Sequence, residues 1–188
     1  MTLHTHSSLP FKEAFWNWSL TSYAQDGVKE RLLSLQDAHL MEVNTALWCI
    51  WSAQMGWTLE EEDIAHIVKE ANDIAVQGVE PLRAVRRHFS VPRTPLTPDE
   101  QGKFRAKLLA LELEAERLVQ HTLAGQTIEI AGPPGDKRTE SEDIIEIATK
   151  HFAVSQQALE KPIMFADERG SHAPMRLFGE IMTILVAR

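Results

Sequence analysis

The sequence predicts an all-α protein, an irregular helical bundle of about seven or eight helices with a small C-terminal helical subdomain. Three features point there. Helix-start signals recur from end to end: Ser, Thr or Asp ahead of an apolar stretch, often with Glu three residues on. Apolar residues repeat at spacings of three and four. The alternation that a half-buried strand needs is missing, apart from a short isolated run at Thr127–Ala131, the only stretch that reads as a strand.

The first helix opens near Pro10, a residue suited to a first turn, behind Ser7 or Ser8. It carries two apolar stripes about 140° apart, one of Phe11, Phe15 and Trp18, the other of Trp16, Leu20 and Tyr23. Glu13, Asn17 and Thr21 fill the remaining sector. Such a helix is either sandwiched in a core or offers aromatic residues such as Trp16 and Tyr23 as a ligand platform. Asp26 is placed to cap a second helix from about Gly27, whose stripe is Val28, Leu32, Leu35 and His39, with Gln36 at its edge. That helix is expected to end at Asp37, which then caps the third or accepts backbone N–H groups in the turn. The third helix, near Met41 to Met55, is apolar almost all round and belongs at the centre. Asn44 shares a sector with Trp48, Trp51 and Met55, and burial there demands partners, since an unpaired amide costs about 1–3 kcal/mol. Gln36, Asp37 and Asn44 are therefore either a polar strut at a helix–helix corner or a ligand site.

Thr58 with Glu61 reads as a capping box, as do Thr97 with Glu100 and Thr139 with Glu142. The second is best supported, because Pro98 then takes the first helical position. EPLRAVRRHF puts Leu82, Val85 and Phe89 on one side and Arg83, Arg86 and Arg87 over an adjoining arc of about 100°. Three guanidinium groups on one short helix suit a phosphate or carboxylate. The plainer alternative is a solvated face paired with acids such as Glu60 to Asp63. Ser90–Pro98, with prolines at 92, 95 and 98, is a connector. The helix from Pro98 to about Leu123 would span roughly 39 Å. Phe104, Leu108, Leu111, Ala115 and Leu118 make a heptad-like seam on it, flanked by Leu109, Leu113, Val119 and Leu123. That surface serves either packing against the tryptophan helices or a homodimer through 98–123.

Ala131–Glu140, with adjacent prolines between glycines, is read as the boundary between a tryptophan-rich domain at 8–125 and a C-terminal subdomain at 139–188. Asp143–Lys161 reads as helix, short turn, helix and resembles helix-turn-helix units. More loosely it looks like the DNA-binding domain of bacterial replication initiators, with Ala173–Arg188 as the closing helix. Charge opposes DNA binding through 143–161: Thr139 to Arg188 hold five Lys/Arg against eight Asp/Glu. Phosphate neutralisation supplies most nonspecific affinity for nucleic acid.

The whole chain of 188 residues is long enough for one sizeable core, and 44% hydrophobic with 24% charged residues is ordinary for a globular protein. A net charge of -8 argues against broad affinity for nucleic acid or anionic membrane. Cys49 is the single cysteine, expected as a buried reduced thiol. The start MTLHTHSSLPFKEAF lacks a basic stretch followed by an apolar one, and the longest apolar runs, about six residues, are far short of a membrane span. These features place the chain in the cytoplasm.

FWNWSL, LQD and VNTALWCIW together resemble a family of uncharacterised, mostly proteobacterial helical proteins with the pattern FWxWSLxxYxxxGV, then LQD, DVN and WCxW. The match falls on Phe15, Trp16, Trp18, Ser19, Leu20, Tyr23, Gly27 and Val28, then on Leu35, Gln36, Asp37, Val43, Asn44, Leu47, Trp48, Cys49 and Trp51. PLRAVRR, Pro81 to Arg87, extends the resemblance, which covers roughly residues 12 to 120. Leu40 stands where glycine is expected and Glu42 where aspartate is. The resemblance implies a helical protein and carries no activity.

Catalytic and metal chemistry find no foothold. Asp63 and His66 have the i, i+3 spacing of di-iron bundles, but those sites need the motif twice, and Glu146 and His151 are five apart. Aspartate-rich diphosphate motifs, glycine-rich phosphate loops and nucleophile elbows are absent. Cofactors are not expected. The sequence favours a non-catalytic binding or adaptor protein, with an unidentified protein or a small anionic ligand held at Arg83, Arg86 and Arg87. A DNA-binding regulator and an enzyme built around Gln36, Asp37 and Asn44 are the alternatives.

Overall fold

The third helix is buried on every side, and five other helices pack against it. In a computed structural model the described residues are 9–39, 41–135, 139–159 and 173–186. Among them the chain is all-α, without strands. The elements are α1 (Leu9–Tyr23), α2 (Val28–His39), α3 (Val43–Gln54), α4 (Glu61–Ile74), a π-turn (Ala75–Val79), α5 (Glu80–His88), α6 (Pro98–Ala131), α7 (Ser141–Ala158) and α8 (Ala173–Val186). Helix α3 packs against α6, α7, α1, α2 and α8. Ten consecutive residues of it, Asn44 to Ala53, are buried, which leaves no room for a solvent face. The aromatic residues meet there: Phe15 stacks on Trp51 at 4.8 Å, and Trp51 tilts against Trp57 at 5.2 Å. Ile144, Ala148 and Phe152 of α7 and Phe178 and Ile181 of α8 belong to the same buried cluster as Trp48.

Local signals explain most boundaries. Pro10 falls in the first turn of α1. Thr97 and Glu100 form the expected capping box, with Pro98 at the first helical position. Gly132, with φ +74°, closes α6 in a conformation that side chains with a Cβ rarely adopt.

Helices α4 and α5 form one continuous run interrupted by the π-turn. Pro81 explains the interruption: it has no N–H to give to the carbonyl four residues back, and its ring would strike that carbonyl. The wider π turn, in which the Glu80 N–H reaches the Ala75 carbonyl, relieves the conflict.

Four expectations fail. Thr127–Ala131 is not a strand, because α6 runs on to Ala131, giving a helix of 34 residues and about 51 Å. Thr127 and Ile128 continue the buried face of Val119, Leu123 and Ala124, and tertiary burial outweighs local β-propensity. Thr58 and Thr139 are not caps. The N-cap positions are Glu60 and Glu140, neither with a side-chain cap bond. Leu59 and Ile64, both buried, sit at the positions of a hydrophobic staple, and acids in the first turns favour the helix dipole. Asp37 neither ends α2 nor caps α3. Lastly, 141–158 is a single helix rather than helix, turn, helix. Ala148, His151, Phe152 and Ser155 are buried at helical spacing along it, and nothing in FAVSQQ breaks a helix.

Candidate functional site

Glu42, where the resemblance leads one to expect aspartate, does the capping at α3. Its carboxylate accepts from the Asn44 N–H at 2.8 Å, the Thr45 N–H at 3.2 Å and the Asn44 side-chain amide at 3.2 Å. From there a line of buried side chains crosses three helices. The Gln120 amide of α6 donates to Asn44 Oδ1 at 2.8 Å, and Ser19 of α1 donates to Gln120 Oε1 at 2.9 Å. Asn44, Gln120 and Ser19 are each almost fully buried, so this line ties α1, α3 and α6 where water cannot compete. Asn44 thus has the hydrogen-bond partners that its burial demands. Gln36 and Asp37 are not part of this line: Gln36 donates weakly to Asp37 at 3.4 Å, and Asp37 is exposed. Leu40, where glycine was expected, lies outside the described residues.

The arginines of α5 face α6, not the acids at the start of α4. Arg83 Nε donates to Glu112 at 3.0 Å and its Nη2 to Glu116 at 2.8 Å. Arg86 grips the same Glu112 carboxylate through Nε and Nη2. The Glu112 side chain is 5% exposed, so the pairing is interior. Burial would push the Glu112 pKa up, but the hydrogen bonds of Arg86 and Arg83 outweigh it and hold the carboxyl below its ordinary value. Burial likewise works against the charge of Arg83, yet Glu112 and Glu116 keep its pKa raised. Glu116 goes the other way. Burial, joined by the nearby Glu42 charge, lifts its pKa despite Arg83. Arg83 is shared between two carboxylates, and Glu112 has the second guanidinium to itself; we therefore place the tight pairing at Glu112. Arg87 stands apart, 61% exposed, with Asp37 at 3.6 Å.

Between α1, α2, α5 and α6 these groups border a cleft of about 270 Å³. Asn44, Gln120 and Ser19 lie along it, Arg83, Arg86, Arg87, Glu112 and Glu116 on one side, and Trp16, Leu20, Tyr23, Leu33, Leu109 and Leu113 around the rest. Of the eight residues singled out in the sequence, seven therefore line one cleft: Arg83, Arg86, Arg87, Gln36, Asn44, Trp16 and Tyr23. Asp37 lines a neighbouring hollow of about 560 Å³ with Met41, Ala75 and Val79, so the π-turn forms part of its wall. Gln36, Arg83 and Arg87 border both and form the ridge between them.

Glu112, Glu116, Gln120 and Ser19 were missed. A signal for them existed: Glu112 falls within the arc of Leu108, Val119 and Leu123 on α6, and a glutamate in an apolar arc calls for a buried cation.

A second polar cluster lies in the interior between α3, α6 and α7. Trp48 Nε1 donates to Thr127 Oγ1 at 3.0 Å, and Trp48 stacks on His151 at 5.6 Å. His151 Nδ1 is 2.9 Å from Ser52 Oγ, while its buried Nε2 meets no hydrogen-bond partner among the described residues. Burial pushes the imidazole pKa down to about 4, so the ring is neutral. Cys49 touches Ser155 at 3.8 Å, and burial drives the thiol up to about 12, the inert buried cysteine that the sequence suggested. Among the described residues no group of three or more His, Cys, Asp or Glu could hold a metal, and no helix is long and apolar enough to cross a membrane. On α4, Asp63 is half-buried and His66 exposed.

These features define a class: an all-α protein with an aromatic-rich core and an ion-paired cleft beside it. The chain belongs to a family described as a protein of unknown function (DUF2390), whose model matches residues 14–123. That span runs from within α1 through most of α6 and includes every cleft residue named above. No curated protein and no solved structure matches the chain.

Proposed function

We propose that the protein is a cytoplasmic, non-catalytic binding protein, and that its cleft receives apolar side chains of a partner polypeptide. The observation that carries this reading is the contrast between the two sides of the cleft. Leu20, Leu109 and Leu113 are 50%, 44% and 44% exposed around it, although they flank a fully wired polar line. A cleft with apolar walls and a few fixed polar groups suits a partner that buries apolar surface. Arg83 and Arg86 are already taken by Glu112 and Glu116, so the pair no longer offers the positive face a small anion needs. Arg87 remains at the rim for an acidic residue of the partner. The enzyme alternative needs Gln36, Asp37 and Asn44 to converge, and Asn44 is committed to Gln120 and Glu42 while Asp37 points to Arg87. The DNA-binding alternative loses its reading helix, since 141–158 is one helix packed on α3.

Selection from a random peptide library on the full-length protein tests the reading. An apolar motif should be enriched on the wild type and lost on Leu109→Glu, with the melting temperature unchanged. No enrichment, or a motif indifferent to Leu109→Glu, would refute it.

A further inference from the structure

Helix α6 carries a stripe that the described residues leave about half exposed, with Phe89 touching Phe104 edge-on at 5.0 Å. Phe104, Leu111 and Leu118 repeat at intervals of seven and are 42%, 56% and 53% exposed. The residues that interleave with them, Leu108 and Ala115, are buried against the body. The heptad-like seam is thus split lengthwise, one row spent on the core and one left facing out. Leu109 and Leu113, which line the cleft, point about half a turn away round the helix, so stripe and cleft lie on opposite sides.

We propose that this stripe joins α6 to α6 of a second copy of the chain, antiparallel, about a two-fold axis at Leu111. The self-complementarity is written into the spacing. With Leu111 against the partner's Leu111, Phe104 falls opposite the partner's Leu118, and Leu118 opposite the partner's Phe104. Lys107 and Glu114 flank the stripe, both exposed. The same axis brings each Lys107 beside the partner's Glu114, giving two symmetric ion pairs. Both residues lie on one flank of the stripe, and in a parallel pairing that flank of each helix faces away from its copy, so neither ion pair could form. A contact in which one patch meets itself is the isologous arrangement of most closed dimers. The short stripe makes the association concentration-dependent, and it leaves both clefts open.

Sedimentation equilibrium of the full chain over a hundredfold range of concentration tests this. The wild type should shift from one chain to two as concentration rises. Leu111→Lys should abolish the shift without altering helicity or melting, since Leu111 is 56% exposed and lies outside the buried cluster. Lys107→Glu and Glu114→Lys should each weaken the dimer, and the double swap should restore it. A wild type that stays monomeric throughout, a dimer indifferent to Leu111→Lys, or a double swap that fails to restore association would each overturn the proposal.

Discussion

The two polar clusters are built from opposite materials. The one beside the cleft is ionic: Glu112 held between Arg83 and Arg86, with Glu116 alongside. The one between α3 and α7 is neutral: Ser52, His151, Cys49 and Ser155 under the ring of Trp48. Position explains the difference. The α5–α6 contact opens on the cleft, so the arginines keep 17% and 25% of their side chains in water, and full charges survive there if each is paired. The interior cluster has no opening, and a titratable group in it keeps its neutral form. Interior neutrality serves packing, whereas the ionic wall fixes α5 in place while leaving apolar side chains free around the cleft.

The sharpest way to break this comparison is to remove the shared carboxylate. Glu112→Ala leaves the partly buried Arg86 without its carboxylate and Arg83 with Glu116 alone, and should destabilise the protein by about 3–5 kcal/mol in denaturant unfolding. For the same reason Arg83→Ala is a stability mutation, not a silent probe of binding. A loss under 1 kcal/mol would show that water solvates the arginines and that the wall is not ionic in the sense argued.

The next largest effect separates the clusters by pH. His151 is neutral when folded, with a pKa of about 4 against 6.5 for the free side chain. Its contribution is complete above pH 6.5 and is lost as pH falls towards 4, about 3 kcal/mol in all. Glu112 has the opposite chemistry and a lower window: its pKa is depressed below 4.5, so its contribution is complete above that value and lost further down. Unfolding free energy measured from pH 7 to 3 should therefore fall in two stages. Burial also holds the His121 pKa below 6.5, so His151→Gln should shrink the upper stage alone without abolishing it; an unchanged upper stage would mean that His151 does not contribute there.

Smaller again is the strut. Asn44→Leu strands the Gln120 amide and removes one partner of Glu42, and should cost about 1–3 kcal/mol. Gln120→Leu in the same chain should add little, because it deletes the group left stranded. Strict additivity in that double-mutant cycle would argue that the two side chains act independently. At the bottom of the scale, Arg87→Ala should change stability by less than about 1 kcal/mol, since Arg87 and Asp37 are both mostly in water.

The fold was legible from the sequence because helical periodicity is a local signal. α3 showed itself as central by being apolar all round, and Thr97–Pro98–Glu100 marked the start of α6 to the residue. Boundaries set by burial were not legible. The continuation of α6 through Thr127 depends on Trp48, 79 residues away, donating to the threonine hydroxyl. Seven of the eight singled-out residues meet at one cleft because aromatic and arginine clusters do stand out in a sequence. What stayed hidden was their pairing. Nothing local assigns Arg83 and Arg86 to Glu112 on α6 rather than to Glu60–Asp63 on the preceding helix. That choice is made by the packing of α5 along α6 after the π-turn at Ala75–Val79.

The most direct test of the central claim, that the ionic cleft binds while the interior cluster only packs, is an amide chemical-shift titration of the full chain with a peptide enriched by the selection described above. Shifts should concentrate at Trp16, Leu20, Arg87, Leu109 and Leu113, with Ser52, Thr127 and His151 unmoved. Shifts centred on α7, or spread evenly over the chain, would contradict it.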